Sequence, residues 1–242
     1  MNITSNTDFE AKYIALRRKE GRVYSDVEVA QLPNIDVQHP HYKEWMIRGE
    51  SAKKLINYLA KKNKPLKILE VGCGNGWLSN QLSGIENSEV TGLDINAEEL
   101  KQAKRVFNNN PQLKFVYEEI DSDRLFSCKF DEIIFAASIQ YFESLKEIIN
   151  AVLNMLEKSG EVHIIDSPFY SKEEAVAAKK RSKDYYIMLG FPEMADYYFH
   201  HDIDELQSYN FKIIYKPSII RNKLFRNNSP FPWLCIKRDY LS

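Results

Sequence analysis

The chain is predicted to fold as a doubly wound α/β sheet of about seven strands, mostly parallel with an antiparallel C-terminal hairpin and with helices on both faces. Three observations predict this. From Leu66 to Asp166 short apolar runs alternate with amphipathic stretches of helical period, the arrangement that right-handed crossovers convert into a parallel sheet. The first run, Ile68-Leu69-Glu70-Val71, breaks into the glycine-spaced loop Gly72-Cys73-Gly74-Asn75-Gly76 just before a helix-compatible stretch. Further on, Phe211 to Tyr215 and Trp233 to Lys237 are alternating strand candidates joined by a loop rich in Asn, Ser and Pro.

Taken in order, residues 1–46 are expected to form a lid or cap: a helix-like stretch from Phe9 to Glu20, then a looser segment bearing Pro33 and His39-Pro40-His41. Residues 47–242 are the main domain. Ala52, Leu55, Ile56 and Leu59 follow the i, i+3, i+4, i+7 template, giving a helix that ends near Pro65 and leads into the first strand. Asn96 with Glu99 makes a capping box, after which Ala97, Leu100, Ala103 and Phe107 mark one helical face that stops by Pro111. Ser144 with Glu147 opens another helix, whose stripe of Leu145, Ile148, Ile149, Val152, Leu153 and Leu156 is ended by Ser159-Gly160. Val162-His163-Ile164-Ile165 reads as a fifth strand. An insertion at about 167–200 follows, in which Ser171 and Glu174 cap a helix through Leu189 before Gly190-Phe191-Pro192 and the aromatic run Tyr197-Tyr198-Phe199.

A chain of 242 residues with 44% hydrophobic content can bury one substantial core. With 33 basic against 34 acidic side chains, no global field draws it to nucleic acid or to a membrane. The three cysteines, Cys73, Cys128 and Cys235, are widely spaced and include no C-x-x-C pair, which suits reduced thiols and indicates neither a disulfide framework nor a zinc site. No run approaches 18 apolar residues, and Met1 to Glu10 lacks a basic n-region and an apolar h-region. A soluble, unexported, cytoplasmic protein is expected.

Glycines at alternate positions let backbone approach a ligand where a Cβ would clash. Asp94 follows 18 residues beyond Gly76, and a carboxylate about 20 residues past such a loop is placed to accept hydrogen bonds from ribose hydroxyls. The ligand is thus a nucleoside-containing cofactor across the carboxyl ends of parallel strands. Dinucleotide sites usually show G-x-G-x-x-G, but Trp77 stands at the sixth position here. Glu70, Gly72, Gly74 and Gly76 instead match E-x-G-x-G-x-G, which resembles the first motif of the class I S-adenosylmethionine-dependent methyltransferases. The resemblance covers roughly Leu55 to Asp166 and, more loosely, the C-terminal hairpin. Val90-Thr91-Gly92-Leu93-Asp94-Ile95 resembles the family's second strand, Phe115 to Glu119 the end of its third, and Phe130-Asp131-Glu132-Ile133-Ile134-Phe135 its fourth.

What the resemblance implies is a Rossmann-like fold with S-adenosylmethionine as cofactor. Glu70, Gly72, Gly74 and Gly76 would line its methionine portion, with Cys73 a small filler of the same loop. Asp94, followed by Ile95, would hold the ribose, and Glu119, with Ile120 next and Asp121 close by, would stand at the adenine. Ala136 and Ala137 match the small residues that let the methionine end pass. From the N-terminal region Tyr24 and Arg48 are candidates for the cofactor's carboxylate, since Arg can grip one with two parallel bonds. No catalytic base is identified, although His200 and His201 follow an aromatic run and precede Asp202, which with Glu205 caps the next helix; one of the two could act as a base or bind substrate. Tyr141 and Tyr170 are further candidates among the aromatics, with Phe142, Phe169, Tyr185, Tyr186, Tyr197 and Tyr198, that line an apolar or planar substrate's pocket or pack core and lid.

No metal is expected: Asp36, His39 and His41 share one loop, too few donors for a closed site, and His163 reads as a hydrogen-bonded core residue. Between Phe211 and Arg238 stand Lys212, Lys216, Arg221, Lys223, Arg226, Lys237 and Arg238 with no acidic residue, which suits an anionic partner or a solvated hairpin face. The expected function is methyl transfer by in-line displacement to an O, N or C nucleophile of a small-molecule acceptor. Ala137-Ser138-Ile139-Gln140 stands where an N-P-P-Y tetrapeptide would favour nucleobase amines. The alternatives are a methyltransferase for RNA or a carrier-bound anionic substrate, or a non-catalytic module that binds the cofactor. No membrane partner is expected, and the oligomeric state is left open.

Overall fold

The computed structural model describes residues 3–120, 122–217 and 228–238. Its helices are α1 (Ile3–Lys19), α2 (Asp26–Gln31), α3 (Tyr42–Ala60), α4 (Trp77–Leu82), α5 (Ala97–Val106), α6 (Asp123–Phe126), α7 (Leu145–Asn154) and α8 (Lys172–Leu189). The strands are β1 (Leu66–Val71), β2 (Ser88–Asp94), β3 (Leu113–Tyr117), β4 (Phe130–Ala136), β5 (Leu156–Ile165), β6 (Asn210–Tyr215) and β7 (Trp233–Lys237). They form one seven-stranded sheet in the order β3-β2-β1-β4-β5-β7-β6. Pairing is parallel from β3 to β5 and antiparallel where β7 meets β5 and β6. The order reverses between β1 and β4, and the carboxyl ends of strands at such a switch point are where open α/β sheets bind ligands.

Strand periodicity sends neighbouring residues to opposite faces, and both faces are covered. Leu69, Ile133, Phe135, Val162 and Ile164 pack with Ile149 and Val152 of α7. Ile68 and Ile134 pack with Leu55 and Leu59 of α3 and Leu78 and Leu82 of α4. A third cluster joins Leu16 of α1 to Tyr186 of α8 and Met194, with Phe9, Tyr13, Tyr197 and Tyr198 around it. The N-terminal helix and the 167–200 insertion therefore share one aromatic cap. No helix among the described residues is long and apolar enough to cross a membrane.

Several boundaries differ from the sequence reading. The α7 stripe does not run to Ser159-Gly160: the helix stops at Asn154, and Leu156 pairs with Phe130 as the first residue of β5, because strand pairing overrides the helical period there. The looser N-terminal segment contains α2, held by a complete Ser25–Glu28 capping box. Helix α3 begins at Tyr42 and so runs across residue 46. Ser171 and Glu174 form both halves of their box, and α8 ends at Leu189 with Gly190 at φ 84°. In the basic C-terminal region, Arg221, Lys223 and Arg226 lie outside the described residues, as does Asp121. Lys212, Lys216 and Arg238 are exposed, whereas Lys237 is paired with Glu161 at 2.7 Å.

Candidate active site

The loop after β1 is shaped by what lies beneath and above it. Ser138 Oγ donates to the Val71 carbonyl (2.6 Å), and a Cβ on Gly72, at φ 75°, would stand 2.6 Å from the Ser138 Cβ. Only glycine fits between them. Gly74, at φ 52°, donates its N–H to Asp94 Oδ2 (2.7 Å). The nearest atoms to the place its Cβ would take belong to the Glu99 carboxyl, with Oε2 at 3.4 Å and Oε1 at 3.5 Å. This bare backbone opens onto two carboxyl groups. Gly76 turns the chain into α4 against the Phe115 ring.

Asp94, at the end of β2, accepts from the Gly74 N–H on Oδ2 and the Asn96 N–H (2.8 Å) on Oδ1, with the Ile95 N–H also drawn to the carboxylate, whose two oxygens have about four lone-pair sites between them. Burial raises its pKa, against the pull of those N–H donors. Asn96 Oδ1 accepts from the Glu99 N–H (3.0 Å), while its Nδ2 is buried without a partner. Burial, then Asp94, push Glu99 up to about 8. The expected Asn96–Glu99 capping box is thus half made, because the Glu99 carboxyl faces Gly74 instead.

Glu70 lies below the loop, 2% exposed, where its carboxyl accepts from Ser79 Oγ of α4 and burial pushes it up to about 8. It braces the loop from beneath. Burial likewise pushes the Cys73 thiol up, so Cys73 is an unreactive filler. Ile95 is half-buried beside Asp94; Glu119 and Ile120 are half-buried just past β3, with Ile120 packed on the core. Ala136 ends β4, and Ala137 takes a left-handed φ of 55° while donating to the Ile165 carbonyl (3.0 Å). Asp166, just past β5, is also left-handed, at φ 53°. Such backbone costs on the order of 1 kcal/mol for a non-glycine residue and gathers at functional sites.

Helix α1 lies across these strand ends. Glu10 accepts from the Ala97 N–H (2.6 Å) and Tyr117 Oη (3.3 Å), Arg18 pairs with Glu98 (2.5 Å), and Arg17 donates to Tyr141 Oη (2.6 Å) and to Glu20 (2.7 Å). Tyr141 meets Tyr13 and Tyr198 edge-on, with centroids at 5.7 and 5.9 Å. Next to it Gln140 Nε2 donates to the Ala137 carbonyl (2.6 Å), which fixes the amide's orientation and leaves its buried Oε1 unpartnered.

Of the four catalytic candidates, the structure brings Tyr141 to the end of β4. His200 sits one layer behind, between Tyr170 (5.5 Å) and Tyr198 (5.2 Å), with Ser182 Oγ at 2.9 Å and a pKa lowered by burial. His201 is 4% exposed and its Nε2 donates to the Ile139 carbonyl (3.2 Å), so it holds the loop after β4. Tyr24 is also a core residue, its hydroxyl accepting from Trp45 Nε1 (2.8 Å). Arg48 pairs with Glu44 (3.0 Å) over the Trp45 ring and acts electrostatically on both Glu99 and Asp166.

Sequence reasoning missed Arg17, Glu10 and Ser138, whose partners are far away in the chain, and took Glu99 for a helix cap. Glu98 and Glu99 form a double acid just past Asp94, which was the available signal. Among the described residues one trio of donor atoms, on Glu161, His163 and Cys235, is close enough to share a metal. Lys62 and Lys237 already neutralise Glu161, and Trp233 Nε1 donates to His163 Nδ1 (3.1 Å). His39 and His41 instead bond within their loop and to the Glu20 carbonyl.

A family described as methyltransferase domain matches residues 62–216, more than half of the chain. A malonyl-[acyl-carrier protein] O-methyltransferase from Ilyobacter polytropus is 28% identical over 117 residues, 48% of this chain and 43% of that protein. A ubiquinone/menaquinone biosynthesis C-methyltransferase from Wigglesworthia glossinidia brevipalpis is 24% identical over 167 residues, 66% of this chain and 65% of its own length. The matched stretch thus spans less than half of the first of these relatives and just under two thirds of the second. In fold, the plantazolicin methyltransferase BpumL, solved with S-adenosylhomocysteine, superposes with a TM-score of 0.57 over 98% of this chain and 99% of its own, at 16% identity. With the family matched across the loop, the carboxylate pair and the strands that carry them, this chain belongs to the class I S-adenosylmethionine-dependent methyltransferases.

Proposed function

We propose that the protein transfers a methyl group from S-adenosylmethionine to an O, N or C nucleophile of a small, planar or apolar acceptor. The observation that carries this is the bare backbone of Gly74 held on the Asp94 carboxylate at the switch point of the sheet. The residues fit the cofactor: Asp94 retains acceptor capacity for ribose hydroxyls, Gly74 presents bare backbone beside the Glu99 carboxyl, and Arg48 stands within electrostatic range of Glu99. Bound there, S-adenosylmethionine supplies a methyl activated by its sulfonium and a neutral thioether leaving group. The chain's task is alignment, which contributes about 7 to 11 kcal/mol when reacting atoms are held in attack geometry.

Tyr13, Tyr141 and Tyr198 supply flat apolar walls for the acceptor, and Gln140 Oε1 takes one of its N–H or O–H groups. Arg17 fixes the Tyr141 hydroxyl, and α1 excludes water above them. A carrier-bound acceptor is the second reading, favoured by the acyl-carrier substrate in the first relative's name and by exposed Lys212, Lys216 and Arg238. A cytoplasmic location suits the three free thiols.

Thermal unfolding tests the cofactor. Ligand at 100 times its dissociation constant adds about 2.7 kcal/mol, and a chain of this size gains about 2 to 4 °C per kcal/mol. A clear rise with S-adenosylmethionine or S-adenosylhomocysteine and none with NAD is expected; no rise with either adenosyl compound refutes the reading. Demethylated cofactor that accumulates with a metabolite pool, and not with buffer, separates the enzyme from a binding module.

A further inference from the structure

Glu99 is the third residue of α5, where a capping box would return its carboxyl to the Asn96 N–H. That N–H is given to Asp94 Oδ1 instead (2.8 Å), and the Glu99 carboxyl stands 3.4 to 3.6 Å from the place a Gly74 Cβ would occupy. Among the described residues no hydrogen-bond donor reaches it. The helix gives up one cap and turns a carboxyl towards the Gly74 backbone.

A second observation lies beside it. The Asn96 side chain is 3% exposed, yet its Nδ2 has no acceptor. Buried polar atoms without partners are few in native proteins and call for a reason. Asp94 with free lone pairs, Glu99 with an open carboxyl and an orphan amide donor together match vicinal hydroxyls, which donate to carboxylates and accept from an N–H.

We propose that Glu99 is a second carboxylate of the cofactor site, accepting a ribose hydroxyl beside Asp94 while Asn96 Nδ2 donates to a ribose oxygen. The inference rests on the reading of this cleft as an S-adenosylmethionine site. Charge bears on it as well. Burial and Asp94 push Glu99 up to about 8, Arg17 of α1 pulls it down, Glu98 of α5 pushes it up and Arg48 of α3 pulls it down. In the free protein burial and mutual repulsion thus favour a proton held by the Asp94–Glu99 pair. Hydroxyl donors and a cationic sulfonium stabilise its ionised form, so binding expels most of one proton.

Calorimetric titration of S-adenosylmethionine at pH 7, in two buffers of different ionisation enthalpy, reads affinity and proton release together. The wild type is expected to release most of one proton, and Glu99→Gln to bind about tenfold more weakly with release near zero. Glu98→Gln, whose wild-type carboxylate pairs with Arg18 at the surface, keeps the release. In the wild type alone, affinity should rise about tenfold per pH unit between pH 6 and 7.5, a measurement independent of whether any variant folds. Unchanged affinity and release in Glu99→Gln, or a wild-type affinity flat across that range, overturns the role of Glu99 while leaving the cofactor in place. Failure of the wild type to bind S-adenosylmethionine or S-adenosylhomocysteine at any pH overturns the cleft reading itself, and the inference with it.

Discussion

Buried polar groups midway along β4 and β5 are treated quite differently from those at the strand ends. In the first region Lys62 of α3 pairs with Glu132 and with Glu161 (2.8 Å), Lys237 pairs with Glu161 (2.7 Å), and Tyr58 donates to Glu161 (2.9 Å). His163 meets Trp233 Nε1 at its Nδ1 (3.1 Å) and Glu132 at its Nε2 (3.2 Å), so both ring nitrogens are occupied. At the strand ends, Asn96 Nδ2 and Gln140 Oε1 are orphaned, Glu99 faces bare backbone, and Ala137 and Asp166 hold left-handed conformations. The satisfied network holds the sheet together; the unsatisfied edge carries the groups proposed above to contact ligand.

The largest expected effect separates the two regions by stability. Glu132→Ala leaves Lys62 and His163 short of a buried partner and is expected to cost about 3 to 5 kcal/mol, read from the urea midpoint. Asp94→Ala frees backbone N–H groups of Gly74 and Asn96 and is expected to cost about 1 to 3 kcal/mol, less than Glu132→Ala, while removing the thermal shift with S-adenosylmethionine. If the two results were exchanged, the contrast between network and edge would fail.

An intermediate effect concerns sign. Burial opposes ionisation of Glu161, but hydrogen bonds from His163, Lys237 and Lys62 outweigh it and hold its carboxyl far below the ordinary value of 4.5. Its contribution is present above that value and is lost as the pH falls through the acid range. Glu70 is the reverse: burial raises it to about 8, so its contribution is complete below 4.5 and is lost as the pH rises towards 8. Glu70→Gln is expected to flatten the alkaline limb of the stability profile by about 1 to 3 kcal/mol between pH 5 and 8 and to leave the acid limb alone. Denaturant midpoints across pH measure both limbs, and an acid-side change in Glu70→Gln would contradict the assignment.

How much of this was legible in the sequence follows from distance along the chain. The loop from Gly72 to Gly76, Asp94 and the Ser171–Glu174 box are local patterns, and the structure holds them where the spacing places them. Lys62 and Glu132 are 70 residues apart and Arg17 and Tyr141 are 124 apart, and no spacing rule connects them. The α7 boundary was misplaced because Leu156 satisfies the helical stripe and the strand pairing equally well, and pairing with Phe130 decides it. Glu99 fits a capping signature, and only the position of Asp94, which takes the Asn96 N–H, turns its side chain away. His201 looks like a base in sequence and is a buried donor to Ile139 in space.

The smallest expected effect on stability is at Gln140, and it sharpens the comparison most. Gln140→Leu loses the bond from Nε2 to the Ala137 carbonyl, worth about 0.5 to 1.5 kcal/mol, and relieves the burial of an unpaired Oε1, which costs about 1 to 3 kcal/mol. The Ala137 carbonyl is left to find another donor, so the terms nearly cancel and the melting temperature should move by no more than about 2 to 4 °C in either direction. A structural glutamine in the Glu132 network would not tolerate such a change. Because Oε1 is assigned to the acceptor and not to the cofactor, S-adenosylmethionine affinity should stay within about twofold, while formation of S-adenosylhomocysteine with a metabolite pool should fall by about tenfold. A variant that melts far below the wild type would place Gln140 with the structural residues, and one that turns over normally would remove it from the acceptor's contacts.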